Sequence, residues 1–153
     1  MKPYTVEVDI DLPRDQVIEL FDSVDNLYKW QPGLQSFEHV SGDPGQPGAI
    51  SKMVYLNGRN RIEMTEEVTE RRLPDEFNGR YSWGGGSNTL RNEFIELSPS
   101  STRWRSTCSY EFRSIPMKLM AFFAGGMFKK QNQLWLDHFK AFCEEGKDVR
   151  DEA

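Results

Sequence analysis

The sequence predicts an α+β fold in which a curved, seven-stranded antiparallel sheet holds a long C-terminal helix over its concave face. Three observations support this prediction. The chain begins with an alternating strand and two short helical segments, and strand and turn patterns then fill residues 34–113. One long apolar helical segment follows, from Pro116 to about Glu145. Because such a helix has to bury its apolar side, we expect it to cover the sheet.

The first strand and the helical pair after it are indicated by the periodicity of apolar residues. Every second position of the strand is apolar: Tyr4, Val6, Val8 and Ile10. Pro13 is typical of a helix start. A stripe at helical spacing follows it: Val17, Leu20, Phe21 and Val24. A second helix opens at Asp25 and ends before Pro32-Gly33, and Trp30 at its end is expected to wedge between helix and sheet.

Turn residues divide residues 34–113 into six further strands. The turns are a Gly- and Pro-rich segment at 42–48, Asn57-Gly58, Leu73-Pro74-Asp75, Gly84-Gly85-Gly86-Ser87 and Ser98-Pro99-Ser100-Ser101. The last strand has the clearest alternation, with one face formed by Trp104, Ser106, Cys108, Tyr110 and Phe112. The simplest arrangement of these strands is one antiparallel meander.

The long helix carries two apolar stripes that do not share one face. The stripe after the glycines contains Phe128, Leu134, Trp135, His138, Phe139 and Phe142. The stripe before them contains Ile115, Leu119, Phe122 and Phe123. One straight helix cannot press both stripes on one sheet. The pattern therefore predicts a kink or break at Gly125-Gly126, with Pro116 to Ala124 forming a separately angled, mobile flap through which a ligand enters.

Length and composition indicate one domain of a soluble protein. At 153 residues, with 37% apolar and 28% charged residues, the chain fits a single domain at 1–146, followed by a charged flexible tail at 147–153. A net charge of −5 disfavours nucleic-acid binding. The start of the chain carries no signal segment, the two cysteines suit a reducing compartment, and the most apolar window, 117–128, is too short to span a bilayer. We expect a cytoplasmic protein without stable membrane insertion, and its oligomeric state is left open.

Two segments carry a family resemblance: Pro13-Arg14-Asp15-Gln16-Val17-Ile18-Glu19-Leu20-Phe21 and Asp25-Asn26-Leu27-Tyr28-Lys29-Trp30-Gln31-Pro32-Gly33. Together with the order of elements and the Gly42/Gly48 turn, they resemble the START-like, or Bet v 1-like, superfamily (SRPBCC), above all its polyketide cyclase/dehydrase and lipid-transport branch. The resemblance implies a helix-grip fold with a largely apolar pocket between the concave sheet and the terminal helix. It also implies a hydrophobic small molecule as the ligand.

The predicted pocket is lined by large apolar and aromatic side chains with a few polar groups among them, as is typical of small-molecule sites. The predicted ligand-binding residues are Ile62, Met64, Tyr81, Trp83, Trp104, Ser106, Cys108, Tyr110, Phe112, Phe122, Phe123, Trp135 and His138.

Candidates for proton transfer are few, namely Glu66, Tyr110 and His138. Glu66 shares the strand face of Ile62 and Met64, which would place a carboxyl group in apolar surroundings and raise its pKa. A bulge in this strand would instead turn Glu66 to solvent, and the many glutamates around it favour that alternative.

No metal ion or cofactor is expected. His39 and His138, the only histidines, are far apart in the chain. The two Cys-His pairs of a Rieske iron–sulfur motif are missing. The run Gly84-Gly85-Gly86-Ser87 lacks the Lys-Ser/Thr and the helix start of a phosphate-binding loop, so we interpret it as a hairpin turn.

Three functions are compatible with these features. The first, which we favour, is the binding or carriage of a hydrophobic small molecule of the lipid, isoprenoid or aromatic polyketide type, without catalysis. The second is a cyclase or dehydratase that uses the same pocket. The third is a co-chaperone-like interaction module, which would need an exposed apolar patch. No such patch is evident in the sequence.

Overall fold

The secondary-structure elements follow one another in the predicted order. The computed structural model describes residues 1–152, with side chains for residues 1–151. The strands are β1 (Tyr4–Ile10), β2 (Leu34–Ser41), β3 (Ile50–Asn57), β4 (Asn60–Arg72), β5 (Glu76–Trp83), β6 (Gly86–Ser98) and β7 (Ser101–Phe112). The helices are α1 (Arg14–Phe21), α2 (Val24–Trp30) and α3 (Ile115–Glu145), and a 3-10 helix spans Val149–Glu152. The predicted α+β fold is confirmed.

The strands form one curved antiparallel sheet of seven strands in the order β1-β7-β6-β5-β4-β3-β2. Strands β2 to β7 make the predicted meander. The last strand, β7, pairs with the first strand, β1, which places Tyr4 opposite Cys108 and Val6 opposite Ser106. Because β1 and β2 are the two edges of the sheet, the α1–α2 pair connects one edge to the other.

Trp30 packs between the helices and the sheet, as its place at the end of α2 predicts. The centroid of its ring is 5.7 Å from that of Trp104 on β7 and 5.1 Å from that of Phe139 on α3. Trp104 and Phe139 are themselves 5.1 Å apart, and Phe21 of α1 contacts all three rings. Each aromatic pair contributes about 0.5–1.5 kcal/mol beyond the burial of its surface. The cluster joins all three α-helices to the sheet.

Gly33 determines how the chain leaves α2. Its φ angle is +80°, which disfavours any side chain. A Cβ atom there would lie 2.1 Å from the carbonyl oxygen of Leu56. The Leu56 N–H donates to the Gly33 carbonyl oxygen at 2.8 Å. This contact ties the α2–β2 loop to the hairpin between β3 and β4.

Helix α3 is continuous from Ile115 to Glu145, so the predicted break at Gly125-Gly126 is wrong. The hydroxyl of Ser114 caps its start by accepting the N–H of Met117 at 3.3 Å. Gly146 ends the helix in the left-handed conformation that is common after a helix C-terminus. None of the described helices, α3 included, is long and apolar enough to cross a membrane.

Only one of the two apolar stripes on α3 packs against the core, and Leu134, which was predicted to belong to that stripe, is 48% exposed. In the second half of the helix, Phe139 and Phe142 pack against the core, and Gln133 donates to the carbonyl oxygen of Glu7 on edge strand β1 at 3.0 Å. The stripe of the first half is exposed: Ile115, Leu119, Phe122 and Phe123. Because the helix does not break, it cannot turn both stripes to the sheet. The stripe of the first half therefore does not pack on the sheet. The separate angle, the mobility and the ligand entry expected of Pro116 to Ala124 stay predictions.

The end of the chain carries little structure of its own. Val149–Glu152 form one short 3-10 helix close to α2. The flexibility predicted for residues 147–153 stays a prediction, and Ala153 lies outside the described residues.

Replacement of Phe139 tests the aromatic cluster. Phe139 is fully buried, so Phe139→Ala should lower the free energy of unfolding by about 3–5 kcal/mol through lost contacts and the cavity left behind. Phe123 lies on the same helix but is 83% exposed, so Phe123→Ala should change the stability by less than about 0.5 kcal/mol. Urea denaturation followed by circular dichroism measures both. Equal losses for the two variants would contradict the packing described here.

Candidate ligand cavity

A cavity of about 890 Å³ lies between the concave face of the sheet, helix α2 and helix α3. Its volume is within the range of cavities that enclose small organic ligands, roughly 300–1,000 Å³. All four tryptophans line it: Trp30, Trp83, Trp104 and Trp135. Most of its wall is apolar or aromatic, and a small number of polar side chains interrupt that surface.

Most of the residues predicted from the sequence meet at this cavity. The predicted residues that line it are Ile62, Met64, Tyr81, Trp83, Trp104, Ser106, Tyr110, Phe112 and Trp135, together with Glu66. They come from strands β4, β5 and β7 and from the second half of α3. Strand alternation brings them together, because every second residue of a strand points to the same face.

Four predicted residues lie elsewhere. Phe122 and Phe123 project from the outer side of α3, because the helix does not break and its inner side is occupied by other residues. Cys108 is fully buried behind the cavity wall. His138 comes three residues after Trp135, which places it about 60° around the helix and one turn further along, outside the lining.

Glu66 points into the cavity and accepts a hydrogen bond from the hydroxyl of Tyr81 at 2.8 Å. The two residues are opposite each other in the β4–β5 ladder. A bulge does interrupt this ladder, but it lies between Val68 and Glu70, after Glu66, so Glu66 keeps the strand face of Met64. Burial raises the pKa of the Glu66 carboxyl above its usual 4.5, and the Tyr81 hydrogen bond opposes only part of that shift.

A second phenol lies close to this carboxyl group. Tyr55 of β3 lines the cavity and donates from its hydroxyl to Oε1 of Gln31 at 2.7 Å. Burial, together with the charge on Glu66, raises the pKa of Tyr55. Sequence reasoning missed Tyr55 and Gln31. Strand β3 carries apolar residues on both faces, including Val54 and Leu56, so its alternation does not indicate which face is inside.

The wall between α3 and the first and last strands contains a separate polar cluster. The hydroxyls of Tyr4 and Tyr110 are 2.8 Å apart. Asn132 of α3 donates to the Tyr110 hydroxyl at 3.1 Å and to Sγ of Cys108 at 3.3 Å, and it also contacts the Tyr4 hydroxyl. Burial raises the pKa of Tyr110 and raises that of Cys108 to about 11. The polar atoms of this cluster are therefore largely engaged with one another, and both titratable groups are protonated at neutral pH.

The first half of α3 also contributes to the wall, through Met117, Met120 and Phe128. Met117 packs on the turn between β5 and β6, where a Cβ atom on Gly85 would lie 2.0 Å from the Met117 methyl carbon. The run of glycines forms a hairpin turn, as predicted, and α3 packs on this turn through Met117. Sequence reasoning missed Met117 and Met120 because it assigned residues 116–124 to a flap, and it assigned Phe128 to the stripe that packs on the sheet.

The cavity offers hydrogen-bonding groups rather than a metal site. Within residues 1–151, no group of three or more His, Cys, Asp or Glu side chains is placed to hold a metal ion. The cavity can enclose an apolar body and bond one polar group of that body at Glu66, Tyr81 and Tyr55.

A helix-grip fold around a mostly apolar cavity defines a START-like, or Bet v 1-like, protein. The particular family follows from a family model that matches residues 1–144: this chain belongs to the family described as "Polyketide cyclase / dehydrase and lipid transport". The predicted resemblance is thereby confirmed. No curated protein matches the chain significantly.

Solved structures show the same fold at low sequence identity. An aromatase/cyclase from a Streptomyces species superposes with a TM-score of 0.79 at 11% identity, over 94% of this chain and 93% of that one. A conserved protein from Geobacillus kaustophilus gives 0.76 at 14% identity, over 95% and 97%. A START superfamily protein from Mycobacterium smegmatis gives 0.69 at 10% identity, over 92% and 98%. At these identities the similarity concerns the fold alone.

The burial of Glu66 predicts a specific dependence of stability on pH. A carboxyl group whose pKa is higher in the folded state stabilises the fold below its ordinary pKa of 4.5, and that contribution is lost as the pH rises through the folded value. Gln cannot ionise. Glu66→Gln should therefore gain stability relative to the wild type as the pH is raised from 4.5 to neutrality and above, by on the order of 1 kcal/mol.

Urea unfolding curves of both proteins across this pH range measure the difference. Glu63 is the matched control, because it lies on the opposite face of β4 with its side chain 73% exposed. A stability difference for Glu66→Gln that is independent of pH, or one that Glu63→Gln reproduces, would show that Glu66 is solvated.

Proposed function

We propose that this protein binds and carries a hydrophobic small molecule in the cavity between sheet and terminal helix. The observation that carries the proposal is the cavity itself, which has a volume of about 890 Å³ and a mostly apolar and aromatic wall. A cavity of this size and composition favours a ligand with a large apolar body, of the lipid, isoprenoid or aromatic polyketide type. The family description, which includes lipid transport, agrees with this class of ligand.

The polar groups of the cavity indicate where the ligand is oriented. The carboxyl group of Glu66 is half-buried in the wall and is held by Tyr81, whereas Asp22, the other acidic residue of the lining, is exposed. When Glu66 is protonated, it can donate a hydrogen bond to a carbonyl or hydroxyl oxygen of the ligand. Burial makes such a bond selective, because a ligand without a matching polar atom would leave the carboxyl group unpaired.

A second candidate function is a cyclase or dehydratase that uses the same cavity. The raised pKa of Glu66 favours it, since a general acid or base works best with a pKa near the operating pH. Glu66 would move protons between carbon and oxygen atoms of an enclosed chain. Of the other two predicted candidates, Tyr110 is bonded to Tyr4 and Asn132, and His138 lies outside the cavity lining. His39 and Asp22 also line the cavity, but both are exposed. Because Glu66 is the one acidic or histidine side chain of the lining that is not exposed, we favour binding over catalysis.

Ligand binding is testable with a hydrophobic probe and a variant that fills the cavity. Met64 faces the cavity, so Met64→Trp should lower the affinity for N-phenyl-1-naphthylamine at least about ten-fold by occupying the ligand's space. Thr65, the next residue of β4, is exposed on the other face, and Thr65→Trp should bind the probe like the wild type. Probe fluorescence measures the affinities, and circular dichroism checks that each variant is folded.

Two further measurements complete this test. Because all four tryptophans line the cavity, the intrinsic emission of the wild type should shift when a ligand binds. Native mass spectrometry followed by organic extraction identifies a ligand that co-purifies. A wild type that binds no probe, shows no change of emission and carries no ligand would contradict the proposal. Catalysis is distinguished from carriage by Glu66→Gln, which would abolish turnover but retain binding.

A further inference from the structure

The outer face of the first half of α3 exposes a large apolar surface. Six side chains are between 56% and 83% exposed: Ile115, Leu119, Met120, Phe122, Phe123 and Met127. Four of these residues occupy positions i, i+4, i+7 and i+8 and so project from one side of the helix. The rings of Phe122 and Phe123 are 5.5 Å apart and pack on each other. We call this surface the α3 patch.

The α3 patch was not expected from the sequence, which shows no evident exposed apolar surface. The stripe that forms the patch, which contains Phe122 and Phe123, was expected to lie on the sheet. Further along the same side of α3, most residues are polar, namely Gln133, Asp137 and Lys140, with Leu134 an exposed apolar exception. The exposed apolar side chains are therefore concentrated in the first half of the helix. A contiguous group of large exposed apolar side chains in an otherwise polar surface typically marks an interaction site.

The charged residues in the chain segment that carries the patch are all basic. Between Glu111 and Asp137 the sequence contains no acidic residue, although the whole chain has a net charge of −5. The same interval contains four cations, all exposed: Arg113, Lys118, Lys129 and Lys130. Among the residues whose side chains the structure describes, none of these cations forms an ion pair. The patch is thus an apolar surface with a positive border on a negatively charged protein.

We propose that the α3 patch docks on the surface of a membrane that contains anionic lipids. Aromatic and aliphatic side chains on one side of a helix insert at the boundary between headgroups and acyl chains, and flanking lysines bind anionic headgroups. Each Lys or Arg close to such a surface contributes about 1 kcal/mol. The patch supplies both features in one helical segment.

The positive border argues against a second copy of the chain as the occupant. In a twofold dimer the same patch meets itself, so the cations of one copy would face those of the other. That arrangement places like charges together, whereas an anionic membrane neutralises them. Docking on a membrane also accounts for the position of the patch. The opposite side of the same helical segment lines the cavity through Met117 and Phe128, and Met120 lies at the border between the patch and the cavity. The docked helix α3 would then lie between the membrane and the cavity.

Vesicle flotation with the full chain tests this proposal. The wild type should float with vesicles of phosphatidylcholine and phosphatidylglycerol, bind pure phosphatidylcholine vesicles more weakly, and lose binding to the anionic vesicles at high salt. The double variant Phe122→Ser/Phe123→Ser should bind at least about ten-fold more weakly. Lys129→Gln/Lys130→Gln should weaken binding to the anionic vesicles only.

The matched control removes exposed apolar residues elsewhere. Val40→Ser/Leu97→Ser replaces two side chains that are 51% and 44% exposed outside α3, and it should bind vesicles like the wild type. A wild type that does not float, a Phe122/Phe123 variant that floats normally, or a control that loses as much binding would each overturn the proposal. Two other results would also overturn the proposal, because each assigns the patch to a protein interface. One is that light scattering shows the wild type as a dimer and the Phe122/Phe123 variant as a monomer. The other is that the wild type binds a protein partner that this variant does not bind.

Docking and ligand binding can fail independently. Phe122 and Phe123 do not line the cavity, so Phe122→Ser/Phe123→Ser should leave the affinity for N-phenyl-1-naphthylamine unchanged when no vesicles are present. Conversely, Met64→Trp should float like the wild type. A protein that binds the probe but never floats would retain its cavity function and lose the membrane proposal alone.

Discussion

The aromatic contact between Trp30, Trp104 and Phe139 is the interaction on which the rest of the structure depends. These three rings come from α2, from the last strand and from the terminal helix, and each lies within 5.1 to 5.7 Å of the other two. Without this contact, the helices would have no common point of attachment to the sheet. Trp30 and Trp104 also line the cavity, so the packing that stabilises the fold forms part of the wall of the site. Trp30 and Trp104 therefore belong both to the core and to the wall of the cavity.

The cavity exists because the sheet curves away from a helix that stays continuous. The second half of α3 is held by the core at Phe139, while the first half reaches the far end of the sheet and rests on the β5–β6 turn at Gly85. Space remains between these two attachments, and side chains of the concave face line it. Within that space, Glu66 and Tyr81 concentrate the polar chemistry at one place, and the remaining wall excludes water from an apolar ligand.

The continuity of α3 also has a consequence on its outer side. Because two stripes are separated on one unbroken helix, turning the second stripe to the core leaves the first in solvent. The exposed patch is therefore a direct result of the way the helix is anchored. Its large side chains are not needed for packing, and the absence of acidic residues around it gives it a charge opposite to that of the protein as a whole. The same helical segment thus has one side for the cavity and another for an external surface.

Periodicity in the sequence determined the order of strands and helices, the family resemblance and most of the cavity wall, because alternation along β4 and β7 depends only on local backbone geometry. The tertiary structure decided three matters that local patterns do not contain. It placed the bulge of β4 after Glu66, which keeps that carboxyl group inside. It selected the inner face of β3, where both faces are apolar, and so brought Tyr55 to Gln31. It turned Phe122 and Phe123 outward. The core binds the stripe that contains Phe139 and Phe142, and this contact fixes the rotation of the whole helix.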